Sequence, residues 1–300
     1  MGWRYVCIDE ASRINYRLNN IGIVYKDETI WINLDEIDSV IITDSRCNTS
    51  IRLLQELVEK GINVIICSNN HMPVGLFLPF QNHSRSSKYN KCQLEWSIAI
   101  KKAVWKEIVK NKIALQSTVL EKWGKTNKIP LLTQYILEIE DGDPTNREGL
   151  AAKVYFRELF GEGFSRERRD EGIINSSLNY IYQIVRSKIA QVIVGHGYIP
   201  SLGIFHISEY NYFGFADDLI EVFRPICDHY VMRLLQKEDI KFMSPTFKEK
   251  LVGILLEQVE ISGFKQKVSE AIKIYVRSVT DALTNQNIDL IQFPFFIHEK

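Results

Sequence analysis

Cysteine is scarce and unpatterned in this 300-residue chain: Cys7, Cys47, Cys67, Cys92 and Cys227 are odd in number, scattered, and never spaced as CxxC. That spacing argues against a disulfide framework or a zinc site and suits buried reduced thiols. Net charge is lacking as well, with 37 Lys+Arg against 37 Asp+Glu. Bulk charge therefore draws the chain toward neither nucleic acid nor a basic partner, and any electrostatic footprint has to be local. No apolar run approaches the ~18 residues a membrane span needs, and no basic stretch followed by an apolar one opens the chain. A cytoplasmic protein without membrane contact is the expectation. What is present is ordinary globular material, 45% hydrophobic and 25% charged, in a chain long enough for two compact domains.

The first 80 residues read as short β-type runs cut by turn residues, at 3–8, 13–18, 21–25, 29–34 and 39–43. Asn19-Asn20 and Lys26-Asp27 fall where hairpin turns belong. One helical stretch follows at 50–60, with Ile51, Leu53, Leu54, Leu57 and Val58 on one face and Gly61 placed to end it in a left-handed cap. Strand character returns at 62–67 and 74–78. Residues 84–90, SRSSKYN, are polar and aperiodic and make the best linker. Beyond them long helical periods dominate, at 93–122, 131–140, 144–159, 170–194, 216–235, 245–258 and 265–284. Asp143-Pro144 and Ser244-Pro245 each read as an N-cap followed by proline at the first helical position. The expected fold is α+β: a small sandwich-like β domain with one helix (1–83), a linker (84–92) and a larger all-α catalytic domain (93–300).

Three segments could carry chemistry. Glu148, in Asn146-Arg147-Glu148-Gly149, falls in the early turns of a helix, where a carboxylate gains from the macrodipole. His206 lies in Gly203-Ile204-Phe205-His206, just before a loop rich in Tyr and Asn, and imidazole is a frequent ligand for divalent metals. Asp217, Asp218 and Glu221 open a further helix; spacings of three and four residues put the three carboxylates near one face, where like charges repel unless a cation neutralises them. Each has a plainer reading, as a helix-start acid, a structural histidine or a solvated acidic turn. Together they supply two carboxylates, Glu148 and Glu221, and one imidazole, a partial shell for Mg2+ or Mn2+ suited to phosphodiester chemistry.

The local basic footprint is the stretch 91–128, with Lys91, Lys101, Lys102, Lys106, Lys110, Lys112, Lys122, Lys125 and Lys128 against Glu95, Glu107 and Glu121, and with Trp96, Trp105 and Trp123 interleaved. Widely spaced lysines on a long helix suit phosphate contact better than base readout, and an ordinary lysine-rich wet face is the alternative. Arg166, Arg168, Arg169, Arg186 and Lys188 extend that surface.

NREGLAAKVYF (146–156), GIFHISEY (203–210) and DDLIEVFRP (217–225) resemble the three metal-site motifs of the CRISPR-associated integrase family, and DEGIINSSLNYIY (170–182) resembles a fourth family helix. The opening Met1-Gly2-Trp3-Arg4 and SNNHMPVG (68–75) look like the branch found in type II systems. The order of four motifs across nearly the whole chain makes the resemblance specific. It implies an amino-terminal β domain that dimerises and a helical domain in which Glu148, His206 and Glu221 bind Mg2+ or Mn2+. Asp218 would be the neighbouring catalytic acid, although the doubled Asp217-Asp218 leaves open which aspartate faces the ion. Asn175, Asn179 and Tyr180 would sit close to the site and contact DNA, beside Lys101, Lys102, Lys106, Lys110 and Arg186 of the basic footprint. Ile181 departs from the family pattern, where glycine is common.

The implied activity is that of a metal-dependent DNA endonuclease and integrase. The 3' hydroxyl of protospacer DNA would attack a phosphodiester at the leader-repeat boundary or the far repeat end. The implied partners are double-stranded DNA, a second copy of the chain, and a small ferredoxin-like adaptation subunit in a four-plus-two complex. The type II interference nuclease and a ring-forming DNA-binding adaptation protein complete the set. Two other readings use the same residues: a stand-alone structure-specific nuclease that activates water, and a non-catalytic DNA-binding scaffold.

Overall fold

A computed structural model describes the chain except residues 1, 27, 69–71, 80–82, 167–171 and 298–300. Asp27 of the second expected turn, residues 69–71 of SNNHMPVG, Arg168, Arg169, and Asp170 and Glu171 of the fourth motif thus lie outside the described residues.

The amino-terminal region comprises β1 (Arg4–Ile8), β2 (Arg13–Arg17), β3 (Asn20–Tyr25), β4 (Glu28–Asn33), β5 (Ile37–Ile42), β6 (Asn48–Thr49), α1 (Ile51–Glu59), β7 (Asn63–Cys67) and β8 (Pro73–Phe77). They form two four-stranded sheets, ordered β4-β3-β2-β6 and β1-β5-β7-β8; in the second, β1, β5 and β7 run parallel and β8 antiparallel. The first hairpin turns at Leu18 and Asn19, both with positive φ, one residue before the expected pair, because a two-residue turn of this kind takes both central residues left-handed. Ser50 caps α1, Leu53 and Leu57 face inward, and Gly61 follows its end at φ +68°, as expected.

Alternation along β5 and β7 makes the second sheet a shared wall. Val40, Ile42 and Val64 face the core of the sandwich, whereas Ile41 and Ile65 face the core of the helical region, since successive side chains of a strand point to opposite faces. That is why Val40, Ile41 and Ile42 are apolar in succession and β5 is buried at every position.

The remainder holds α2 (Ser86–Glu95), α3 (Ile98–Lys122), α4 (Ile129–Glu138), α5 (Arg147–Phe160), α6 (Ile173–Gly195), α7 (Gly214–Ile220), α8 (Arg224–Lys237), α9 (Pro245–Val252), β9 (Gln258–Ile261), β10 (Phe264–Lys267) and α10 (Val268–Asn285). Three departures from the expected pattern have physical causes. Most of the segment 84–92 is helical: α2 lies largely exposed, so it needs no apolar stripe and shows no period. It is pinned by Gln93, which donates to the carbonyls of Ile199 and Leu202 and accepts from the Ile199 N–H. The chain then breaks at Trp96-Ser97, where the Ser97 hydroxyl caps α3. The expected helix 216–235 is two helices joined by a tight turn, Glu221–Phe223, because Pro225 cannot donate a helical hydrogen bond. Lastly, the carboxy-terminal region is not all-α. Helix α9 stops at Val252, and β9 and β10 form an antiparallel hairpin through Ser262 and Gly263, which both take positive φ. Helices α3 and α6, buried along much of their length, form the centre of the helical core.

Candidate active site

Helix α3 presents two residues seven apart, Trp105 and Lys112, on one face. Lys112 is only 4% exposed, and a buried ammonium requires charged partners. It has two: its Nζ donates to Oε1 of Glu148 and to Oε2 of Glu221. Burial alone would push the lysine pKa down, but the Glu148 and Glu221 carboxylates outweigh it and the net shift is upward.

Each glutamate is placed by a local device. Helix α5 starts at Arg147, three residues later than expected, because Asn146 takes the left-handed conformation (φ 53°) and caps it by accepting from the Gly149 N–H. The expected cap, Asp143, contributes from outside, accepting from the N–H groups of Arg147 and Glu148 at 2.8 and 2.9 Å. This fixes Glu148 in the first turn. Glu221 sits at the joint between α7 and α8, where the proline-enforced turn aims it at α3. Its Oε1 accepts from Arg224 Nε at 2.8 Å. Burial would raise the Glu221 pKa, but Arg224 and then Lys112 hold it down at about 2.

His206 is placed by Asp218, which is fully buried. The Asp218 carboxylate accepts from the N–H groups of Ile204, Phe205 and His206 and lies 2.8 Å from His206 Nδ1. Gly203 and Gly214 permit this wrap: a Cβ at Gly203 would stand 2.6 Å from the His206 carbonyl oxygen, and one at Gly214 only 2.3 Å from it. Trp105 supplies the floor, stacked on Phe205 with ring centroids 4.1 Å apart and edge-on to His206 at 5.6 Å. Burial would lower the His206 pKa; the Asp218 hydrogen bond and charge, with a smaller push from Glu221, raise it. With Nδ1 committed to Asp218, Nε2 is the nitrogen left to act.

The structure therefore brings Glu148 and Glu221 onto one cationic centre and sets His206 beside them, within the field of Glu221. The geometry differs from a three-ligand shell: among the described residues no three His, Cys, Asp or Glu side chains are grouped closely enough to hold a metal ion. Lys112 stands between the two glutamates, and Asp218 serves the histidine loop. Asp217 turns the other way, accepting from Asn211 Nδ2 and pairing with Arg186 at 3.5 Å.

Alongside lies a groove of about 250 Å3 lined by Arg166, Asn179, Tyr182, Gln183, Arg186 and Arg224, among others. Arg166 donates to Oδ1 of Asn175 and of Asn179, each at 2.8 Å. The two asparagines act on the groove by orienting a guanidinium. Arg224 and Arg166 both lie over the Tyr182 ring, whose hydroxyl donates to Asp228, which also accepts from Tyr155. Burial pushes the Asp228 pKa up to about 6 against those hydrogen bonds.

Tyr180 does not line this groove. It is fully buried on the face of α6 toward the β domain, beside a separate cavity that includes Cys7, Thr43 and Pro245, so a direct DNA contact expected there is replaced by packing. Of the expected DNA lysines, Lys102 is exposed and Lys101 half-buried, whereas Lys106 pairs with Asp141 at 3.0 Å and Lys110 with Glu107 at 2.9 Å. Lys112, read as one more surface lysine, is the central charge of the site. Its signal was there to be found: with Ile108, Val109 and Ile113 it falls on the buried stripe of α3, where a charge is rare unless paired.

Comparison with known structures first shows the fold. The fold matches a casposase bound to its integration product over 95% of this chain and 92% of that one (TM-score 0.78, 18% identity), and a CAS1 protein from Thermotoga maritima over 99% and 100% (TM-score 0.75, 16% identity). Sequence then shows the family. The family model described as CRISPR associated protein Cas1 matches residues 5–270. A CRISPR-associated endonuclease Cas1 from Neisseria meningitidis serogroup C is 32% identical over 98% of this chain and 96% of its own length. One from Saccharolobus solfataricus is 27% identical over 93% and 88%. The chain belongs to the Cas1 family, the integrase-endonucleases of CRISPR adaptation. Among the described residues no helix is long and apolar enough to cross a membrane.

Proposed function

We propose that this chain inserts protospacer DNA into a repeat array by attack of a 3' hydroxyl on a phosphodiester, using Mg2+ or Mn2+ bound by Glu148, Glu221 and His206. The observation that carries the reading is the convergence of two carboxylates from separate helices on one cation, beside an aspartate-oriented imidazole. Oxygen donors already gathered about a positive charge, with a nitrogen donor near them, fit a hard divalent ion. Such an ion would orient the nucleophile and neutralise charge on the leaving oxygen.

The chain's own groups account for the rest. Asp218 engages Nδ1 of His206 and leaves Nε2 as the nitrogen that would bind the ion or carry a proton at the attacked phosphate. Arg166, Arg186 and Arg224 give the adjoining groove guanidinium donors that match phosphate oxygens, which would seat the DNA backbone beside Glu221. Lys101 and Lys102 would add sequence-independent contacts farther along α3.

The reading includes assembly as a homodimer, bridged by a small ferredoxin-like subunit. Strand β4 supports the first part: it is an edge strand with Ile30 and Trp31 about half exposed, and unpaired apolar edges invite a second chain. For the second part, the fold resembles a chain of a Cas6-RT-Cas1–Cas2 complex (TM-score 0.77, 18% identity, covering 97% of this chain and 36% of that one).

The test is a strand-transfer assay on a supercoiled repeat-bearing plasmid with the small subunit present, run with Mn2+ and with chelator. Branched integration products in Mn2+ alone are expected. Nicking without strand transfer would favour a water-activating nuclease, and activity in chelator would remove the metal.

A further inference from the structure

We propose that Lys112 is the built-in counter-cation of the active site, holding Glu148 and Glu221 together until a divalent ion displaces its ammonium. This rests on the metal reading given above and extends it to a residue outside the ligand set.

The argument starts from charge. Lys112 and Arg224 carry two positive charges, and Glu148 and Glu221 two negative ones, so this cluster is balanced as it stands. A divalent ion entering a balanced, buried cluster would leave it two charges in excess, which a low-dielectric interior resists. The excess is halved if the ammonium leaves the carboxylates and cancelled if a DNA phosphodiester enters as well. Metal and DNA are therefore expected to bind together, each weakly without the other.

Geometry gives the same direction. The Lys112 and Glu221 side chains are each 5% exposed, whereas that of Glu148 is 26% exposed, so solvent reaches the cluster from the Glu148 side. The lysine is joined to the rest of α3 by a four-carbon stem with free rotors, unlike the short glutamate arms fixed by Asp143 and by the turn at Glu221–Phe223. The ammonium is thus the member of the cluster that can yield while the carboxylates stay in place. A lysine serving only as structural glue would need one carboxylate, as Lys188 has in Asp38.

The test is calorimetric titration of the protein with Mn2+, with and without duplex DNA, alongside thermal melting in chelator. Lys112→Met removes the internal competitor. It is expected to melt below wild type in chelator, to recover with Mn2+, and to bind Mn2+ at least about tenfold more tightly. Lys112→Arg keeps the charge on a head that grips two carboxylates at once, and is expected to bind Mn2+ at least about tenfold more weakly with no loss of melting temperature. If Lys112→Met does not fold in chelator, the arginine variant decides alone. Affinities for both variants within about twofold of wild type would overturn the role of Lys112 and leave the metal reading standing. Wild type that takes up no Mn2+ even with DNA present would overturn the metal reading itself.

Discussion

Lys112 and Lys188 are both buried, and their surroundings differ in a way that separates a site from a joint. Lys188, on α6, donates to both oxygens of Asp38 at 2.8 and 2.9 Å and to Gln191 Oε1. Gln191 in turn donates to the Gly61 carbonyl, so the cluster ties the helical core to the sandwich. It is a one-to-one pair, and burial pulls the Lys188 pKa down despite Asp38. Lys112 faces two carboxylates, and they push its pKa up despite full burial. A joint needs no more negative charge than its lysine brings. Two carboxylates gathered on one buried lysine, open to solvent on one side, mark a place where a stronger cation belongs.

The sharpest way to break this comparison is to remove one proposed ligand at a time. Glu148→Gln, Glu221→Gln and His206→Ala are each expected to lower integration by at least about a thousandfold while the protein still folds, because a missing ligand costs an open metal site its occupancy before it costs packing. Integration within tenfold of wild type in any of the three would end that residue's assignment. Lys188→Met should do the reverse. It leaves Asp38 buried and unpaired, so a loss of about 3–5 kcal/mol in denaturant melts is expected, with normal integration by the folded fraction. A folded Lys188→Met protein without activity would erase the distinction between the two lysines.

Another buried ionisable group, Asp228, sharpens it. The folded-state pKa of Asp228 is raised to about 6, above its ordinary 3.8, so its contribution is fully present below 3.8 and is lost as pH rises through about 6. Asp228→Asn should therefore gain on wild type as pH rises, on the order of 3 kcal/mol between about pH 3 and about pH 8, read from parallel melts. A pH-independent difference would show that the carboxyl does not titrate in that window. The smallest effect belongs to the outer face of α3. Neutralising Lys101, Lys102 and Lys106 should weaken DNA binding by about 1 kcal/mol or less for each contact and flatten its salt dependence equally for all DNA sequences. An unchanged salt slope would take that face off the DNA path.

Much of this was legible in the residues alone. Alternation in β2 and β3, and long helical periods in α3, α6 and α10, announce themselves because one face of each is apolar, while β7 reads as a short apolar run buried on both faces. What stayed hidden obeys other constraints. Helix α2 is polar because it is exposed, and the break before α8 depends on one proline inside an otherwise periodic run. The β9-β10 hairpin is only four residues a side, too short for its alternation to outweigh the helical stretches around it. At the site, the motifs point to Glu148, His206, Asp218 and Glu221, and the fold divides them into a glutamate pair and a histidine-aspartate pair. Which aspartate orients the histidine depends on a loop closure that spacing does not encode. Lys112 escaped because a lysine among many lysines looks like surface until its position on the apolar stripe is counted.

The central claim is that Glu148 and Glu221 share one cation, and the most direct measurement counts it: Mn2+ bound per chain in the DNA complex, by electron paramagnetic resonance. The account predicts a site that is lost alike in Glu148→Gln and in Glu221→Gln. Full Mn2+ occupancy retained by either variant would contradict it.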